Sequence, residues 1–434
     1  MRRLTLFIVG WLGILSHARA QIILSSFADV VSVLEQKSYL IKNGKLEEEK
    51  AKKSRLAGIL SIPEPTGSIS LGYTNNTRLP VTVFPAEILG GTPGTYEKVA
   101  LGVQYNTNFN STIDIKLINA TGIQNFKLSQ INSQLVVTEN ALQKKSLYEN
   151  AATVYYNILI LQEQKNATMQ FIENAEQLLL AVTNQFTNGL ATQQQVNEAT
   201  ISRLTQQDNL KQIQYQIELQ INTLQSWMDI REPLEFVPNP PPVVSAPAEP
   251  LSRNLHQRNA LLSYEFARTE FRKEAYTNLP YLSLILSSQR QLFDTQANPF
   301  ASSQSWVPSS YYGFRVSIPI PGNASVSGYY RQKYQVKINQ FNLEKAIIQD
   351  ELEVRKLETN LRKAQSEHAS ALEIERLRKE TYDKNLLNYQ AGLVTLEDTI
   401  NSLNASIDAQ YTRIASAQKV KLQEQFILIH NSIK

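Results

Sequence analysis

Two short stretches carry one pattern: Phe186-Thr187-Asn188-Gly189-Leu190-Ala191-Thr192 and Tyr389-Gln390-Ala391-Gly392-Leu393-Val394-Thr395, an aromatic-x-x-Gly-Leu-x-Thr repeat. Glycine is the usual residue for ending a helix in a left-handed conformation, and Thr is a good N-cap, so each stretch reads as one helix ending and another beginning. The glycines lie 203 residues apart in a chain of 434, which points to an internal duplication. Upstream, Ala57 with Ile62-Pro63 and Ala275 with Leu279-Pro280 each precede a predicted first strand. Each repeat then reads helix, strand, loop, strand, long helix, Gly turn, helix. The first repeat spans 21–232 and the second 251–434. They are joined over 233–250 by a linker holding seven Pro, which excludes helix and interior strand there.

The helices around the turns are long. No Pro occurs from Ile115 to Phe186, and apolar residues step by three and four through Leu128, Ile131, Leu135, Leu142, Phe171, Ala175, Leu178 and Val182, a heptad-like seam. The pattern continues through Leu210, Ile213, Ile217, Ile221, Leu224 and Met228, and a third long run covers Val326 to about Asn388. A helix of about seventy residues is ~105 Å long. Its flanks are rich in Gln, Asn, Lys and Glu, so it is solvated and projects away from any lipid.

Four segments instead show period two. They are predicted at about 67–76, with Ile69, Leu71 and Tyr73 on one side; 98–109, with Val99, Leu101, Val103, Tyr105 and Phe109; 280–290, with Leu282, Leu284 and Leu286; and 311–320, with Tyr312, Phe314, Val316, Ile318 and Ile320. The opposite positions, among them Gly102, Gln104, Asn106, Gly313 and Ser317, are small or polar. Period two alone fits a half-buried sheet in a soluble domain. Long polar loops within each pair, Thr77 to Tyr96 and Gln291 to Ser310, with Tyr96, Trp306, Tyr311 and Tyr312 near their ends, fit an outer-membrane barrel better. The expected lipid-facing rows are Val99, Leu101, Val103 and Tyr312, Phe314, Val316. Arg290 and Arg315 are expected in the lumen, unless an Arg pairs with a carboxylate on a neighbouring strand.

Four strands cannot close a membrane barrel, because an open edge in lipid leaves backbone groups unpaired at several kcal/mol each. Two chains would give a bore filled by side chains, whereas three give twelve strands and room for a channel. The fold class is therefore α+β, an outer-membrane β-barrel to which each protomer gives four strands, with long coiled-coil helices projecting into the periplasm.

Composition narrows the function classes. The chain has no Cys and four His, which removes thiol catalysis, thiolate metal sites and disulfides. Arg2 and Arg3, the apolar run Leu4 to Leu15 and Ala18-Arg19-Ala20 read as a signal peptide over 1–20. Its removal takes three Arg from a formal charge of +4 and leaves +1, so no basic patch points to nucleic acid. Gly91 to Lys98 lacks the P-loop spacing, and neither Gly-x-Ser-x-Gly nor His-Glu-x-x-His occurs; no catalytic residue, cofactor or metal site is expected. The competing reading is a structural or adhesive periplasmic coiled-coil protein with a small soluble sheet.

The two Gly-Leu turns, each ending a very long helix, together with Ile318-Pro319-Ile320 after the last strand, resemble the TolC-type outer-membrane efflux proteins. The first repeat departs from that family where Tyr105 to Phe109 lacks the usual hydrophobic-Pro pair. The resemblance implies a homotrimer in outer-membrane lipid, a trimeric β-barrel continuous with a long periplasmic α-helical coiled-coil tunnel, working as the passive exit duct of an efflux pump or type I secretion machine. It also implies an inner-membrane transporter and a periplasmic adaptor that docks on Phe186, Gly189, Leu190, Thr192, Tyr389, Gly392, Leu393 and Thr395. By the same resemblance Asp398, with Asn401 on the same helix face, lines the narrowest part of the tunnel, and Tyr389 is a latch. Gln194 and Gln195 stand in the first repeat where an acid is also found, so the resemblance implies a constriction less acidic than usual.

Overall fold

A computed structural model describes residues 21–237, 255–299 and 305–433. The signal peptide expected over 1–20 lies outside the described residues, as do positions 238–250 of the Pro-rich linker. In chain order the elements are β1 (Ile22–Leu24), α1 (Phe27–Lys37), α2 (Tyr39–Leu60), β2 (Thr66–Asn75), β3 (Val81–Pro85), a short 3-10 helix (Ala86–Leu89), β4 (Tyr96–Ala100), β5 (Tyr105–Ile118), α3 (Ala120–Thr187) and α4 (Gln193–Met228). There follow β6 (Leu234–Phe236), α5 (Leu255–Tyr276), β7 (Tyr281–Asp294), β8 (Val307–Ser317), α6 (Asn323–Gln390) and α7 (Leu396–Ser432). The two long helices, α3 and α6, have 68 residues each.

Two compact units divide the chain. One comprises Glu47–Thr138 and Arg258–Ala346 and contains the sheet β2-β5-β7-β8, antiparallel throughout. Antiparallel partners lie on the same face of a sheet, so the register sorts every side chain. One face carries Ile69, Leu71 and Tyr73 of β2, Phe109, Ile113 and Ile115 of β5, Leu282, Leu284 and Leu286 of β7, and Tyr312, Phe314 and Val316 of β8. The other carries Asn106, Asn108, Asn110 and Thr112 of β5, Ser283, Ser287, Gln289 and Gln291 of β7, and Ser309, Gly313 and Arg315 of β8. The expected alternation thus assembles into one apolar and one mainly polar face.

The second expected strand is displaced. The sheet uses Tyr105–Ile118, whereas Tyr96–Ala100 pairs with Val81–Pro85 as a separate hairpin inside the first long loop. Val99 faces Thr82 in that hairpin, and Leu101 and Val103 belong to the segment between β4 and β5. Gly102, at φ 111°, breaks the extended backbone between the two strands. Val99, Leu101 and Val103 are therefore not a row of the four-stranded sheet, and neither Gly102 nor Gln104 is on its polar face. Residues 115–118, placed by their lack of Pro at the start of the helical run, complete β5. β8 ends at Ser317, so Ile318 and Ile320 follow the strand, and β7 runs four residues beyond its expected end at 290.

The other unit comprises Met1–Leu46, Glu139–Gln257 and Ile347–Lys434. Its largest apolar cluster packs Phe27, Val30 and Leu34 of α1 against Tyr148, Ala151, Ala152, Tyr155 and Ile158 of α3 and Leu224 and Met228 of α4. Leu234–Phe236, inside the Pro-rich stretch, pairs in parallel with Ile22–Leu24 and buries Leu234 and Phe236 in the same cluster. Pro233 immediately precedes that strand and supplies only its carbonyl, which accepts from Ile22 N at 3.1 Å, so the missing N–H costs nothing there. Further along α3 the seam residues Phe171, Ala175, Leu178 and Val182 are all buried, as their heptad spacing requires.

Candidate functional site

The two Gly-Leu turns have the same backbone. Gly189 N donates to Phe186 O at 3.0 Å and Leu190 N to Gln185 O at 2.8 Å; Gly392 N donates to Tyr389 O at 3.0 Å and Leu393 N to Asn388 O at 2.8 Å. This is the Schellman helix stop, in which the residue after the cap takes a left-handed conformation. Both glycines have φ 74°. A Cβ at either would meet no atom within 4 Å, so glycine is required here by conformation and not by close helix approach. Leu190 is 79% and Leu393 75% exposed, so most of each side chain faces solvent.

Thr192 and Thr395 then cap the next helices. Thr192 forms a capping box with Gln195, whose Oε1 accepts from Thr192 N at 2.8 Å. Thr395 Oγ1 accepts from Asp398 N at 3.1 Å and donates to Asp398 Oδ2 at 2.6 Å. Gln195 and Asp398 therefore occupy the same capping position in α4 and α7, and a carboxylate there also suits the positive end of the helix dipole. Gln194 is turned to the solvent side, where its Nε2 donates to Glu198 Oε1 at 3.0 Å.

The aromatic residues of the two turns differ. Phe186 is 39% exposed, whereas Tyr389 is 5% exposed and packs with Leu178, Val182, Ala199 and Leu396. Burial raises the Tyr389 phenol pKa, and its hydroxyl oxygen has no hydrogen-bond partner.

No family model matches the chain, and no curated protein matches it by sequence. Its architecture does match solved structures. The outer membrane protein VceC of Vibrio cholerae superposes with a TM-score of 0.74 at 12% identity, over 93% of this chain and 96% of that one. A membrane protein of Pseudomonas aeruginosa gives 0.73 at 11% identity, over 95% and 91%. The CmeC outer membrane channel of Campylobacter jejuni gives 0.66 at 13% identity, over 94% and 86%.

The chain has the TolC-type outer-membrane channel fold.

The expected site residues of this channel-fold chain are brought together only in part. Asn401 lines a groove of about 430 Å³ between α4 and α7, together with Glu198, Ile201, Gln206, Glu397 and Asn404. Asp398 is not among those lining residues, being turned toward Thr395. The acids of the groove are Glu198 and Glu397, which sequence reasoning missed. No spacing in the sequence signals either, because which residues line a groove between two helices depends on how the helices are rotated about each other.

The two sheet arginines lie on opposite faces. Arg315 is on the polar face, with Nη1 3.9 Å from Asp114 Oδ2 across the intervening β7. Arg290 pairs with Phe109 and Pro308, which sets it on the apolar face and corrects its expected place in a lumen. Among the described residues no helix is long and apolar enough to cross a membrane, and no group of His, Cys, Asp and Glu is arranged to hold a metal ion.

Proposed function

We propose that three copies of this chain form a passive, gated exit channel in the outer membrane, the last section of a tripartite efflux pump or type I secretion system. The observation that carries this reading is the four-stranded sheet. Its edges, β2 and β8, have no strand neighbour among the described residues, and its apolar face is exposed, Tyr312 to 78% and Phe314 to 70%. A sheet that is greasy on the exposed face and polar on the other fits lipid outside and water inside. Joining the open edges of three chains supplies twelve strands and removes every edge.

Further support comes from α6, where Tyr334, Ile338, Phe341, Ile348 and Leu352 form an exposed apolar line at steps of four, three, seven and four. A patch of that kind asks for a partner, and neighbouring copies would supply it. The shared order of elements in the two halves supports an internal duplication. The exposed Leu190 and Leu393, held by two identical stops, suit docking of a periplasmic adaptor, with an inner-membrane transporter behind it. Tyr389, Asp398, Asn401, Gln194 and Gln195 are proposed around the periplasmic constriction, with Glu198 and Glu397 adding the negative charge that attracts cations there. Several neighbours of the fold are outer membrane channels, and such a duct needs no chemistry of its own.

The test is single-channel conductance in planar bilayers, paired with recovery of a heat-modifiable trimer from the outer-membrane fraction. Stable unit conductance from the trimer is the expected result. A soluble chain without conductance would instead make this a structural or adhesive periplasmic coiled coil.

A further inference from the structure

The apolar face of the β2-β5-β7-β8 sheet is interrupted at one level. Ser111 pairs with Ser288 and Ser288 with Ser310, so hydroxyls from three adjacent strands stand in one row across that face. On one side of this row Ile113, Leu286 and Tyr312 are in register. On the other side Arg290 lies between Phe109 and Pro308, one same-face step, ~7 Å, beyond Ser288. The three serines line a shallow groove of about 450 Å³ together with Ile113, Leu286 and Tyr312.

Nothing in the sheet answers the charge of Arg290. It is exposed and forms no ion pair among the described residues, and the three serine hydroxyls form no hydrogen bond among them. The one acid on the described part of that face is Asp294, further along β7, and its Oδ1 accepts from Thr295 N at 2.7 Å and from Gln296 N at 3.0 Å. β7 is an inner strand, so a further copy joined at β2 or β8 would not cover it. Arg315, on the polar face, has Asp114 for a partner instead.

The level of Arg290 in the sheet matters. β7 begins directly after α5, so its first residues adjoin the helices and Arg290 lies toward the opposite end. From Leu282 to Arg290 the strand covers ~27 Å, which at a tilt of about 40° is ~21 Å of membrane thickness, close to the height of a barrel's apolar band, about 25 Å. On the membrane reading of this sheet, on which the inference rests, Arg290 stands at the extracellular edge of the band, where a charge costs least and lipid headgroups begin.

We propose that Arg290, Ser111, Ser288 and Ser310 bind the phosphate group of an outer-leaflet lipid, whose acyl chains lie along the apolar rows below them. A guanidinium presents paired N–H donors in a fork that phosphate oxygens fit, and each serine adds one O–H donor. Free phosphate would gain those donors alone. A lipid gains in addition the contact of its chains with Ile113, Leu284, Leu286 and Phe314, because donors and apolar rows share one face.

The test is native mass spectrometry of the purified full chain in detergent. The probe is lipid A, an acylated glucosamine disaccharide bearing phosphates, set against the same lipid with its phosphates removed. The wild type should bind the phosphorylated form roughly tenfold more tightly, the scale of a charge-assisted contact. Arg290→Gln, a change at an exposed residue without a partner, should fold normally and abolish that preference. The combined Ser111→Ala, Ser288→Ala and Ser310→Ala variant should reduce it to about threefold. Arg315→Gln removes the same charge from the polar face and should leave it unchanged, and excess inorganic phosphate should not displace the lipid. Equal binding of the two lipids by the wild type, a preference kept in Arg290→Gln, an equal loss in Arg315→Gln, or displacement by inorganic phosphate would each overturn the site. Planar-bilayer conductance separates this from the channel reading. A conducting trimer without the phosphate preference overturns the lipid site alone, whereas a chain that forms no channel overturns both.

Discussion

The first half of the chain, from α2 through α4, and the second, from α5 onward, share a helix, two sheet strands, a 68-residue helix, the same helix stop and a last helix, but differ in what decorates them. Between its two sheet strands the first half inserts the β3–β4 hairpin, whereas the second goes from β7 to β8 without another strand among the described residues. At the turn the first half has an exposed Phe186 and an uncharged Gln195, while the second has a buried Tyr389 and the acid Asp398. Backbone geometry at the helix stop is common to both halves, and the side-chain chemistry there is not. The shared geometry marks what both halves must do, and the differences mark where one half has a task of its own.

The sharpest way to break this comparison is to remove what the halves share. Replacing Gly189 and Gly392 together by Val puts β-branched residues at φ 74°, at a cost of about 1–2 kcal/mol per site for the left-handed conformation. No neighbour is close enough to clash, so the assembly should still form. Export in cells should be abolished and adaptor crosslinking lost, because the exposed leucines no longer sit on a fixed stop. Export at the wild-type level with normal crosslinking would remove the turns from docking and leave them as helix caps.

The next effect separates the strand of the second half from the hairpin of the first. Phe314→Arg, on the apolar sheet face, should cost ~2–4 kcal/mol if that face meets the bilayer near its midplane. Gln289→Arg, on the polar face, and Leu101→Arg, outside the sheet, should both cost little. Membrane-inserted yield measures all three. Equal loss in Phe314→Arg and Gln289→Arg would overturn the assignment of faces.

That pair of variants also shows where the sequence was readable. Period two identified Ile69, Leu71, Tyr73, Leu282, Leu284, Leu286, Tyr312, Phe314 and Val316 as one surface, because side-chain direction in a strand follows parity alone. It failed over 99–103 for the same reason. A hairpin strand alternates just as a barrel strand does, and only Gly102 at positive φ, whose backbone angle no spacing reveals, separates the two. Arg290 was misplaced although parity already set it with Leu282, Leu284 and Leu286; its partners Phe109 and Pro308 confirm that face, so the charge of the side chain was allowed to outweigh its position. The helix stops were legible because glycine and threonine at fixed offsets state their chemistry directly. Glu198 and Glu397 were not, since a groove between two helices depends on their rotation about each other.

A smaller effect is expected at the caps. Thr192→Ala and Thr395→Ala should each cost about 1 kcal/mol, measured as a shift in unfolding midpoint. Asp398→Ala removes the carboxylate that accepts from Thr395 and should cost somewhat less. If three copies also set Asp398 around the constriction, that variant should weaken block by divalent cations added from the periplasmic side, and Gln195→Glu should strengthen it. Unchanged block in both variants would leave Asp398 as a cap only and pass the cation site to Glu198 and Glu397.

The smallest expected effect decides what Tyr389 is for. Its hydroxyl is buried without a partner and its ring packs with Leu178, Val182, Ala199 and Leu396. An unsatisfied buried hydroxyl costs free energy, so Tyr389→Phe should leave stability unchanged or raise it by a fraction of the ~1–3 kcal/mol that such a group can cost. Phenylalanine is what the first half already uses at this position, so the variant makes the two turns alike. If the ring alone holds the second turn, closed-state conductance should stay at the wild-type level. If instead the hydroxyl latches the tunnel by bonding to a neighbouring copy, Tyr389→Phe should raise closed-state conductance while Phe186→Tyr does not. A raised conductance with unchanged stability would assign the latch to the oxygen, whereas unchanged conductance would confine Tyr389 to packing.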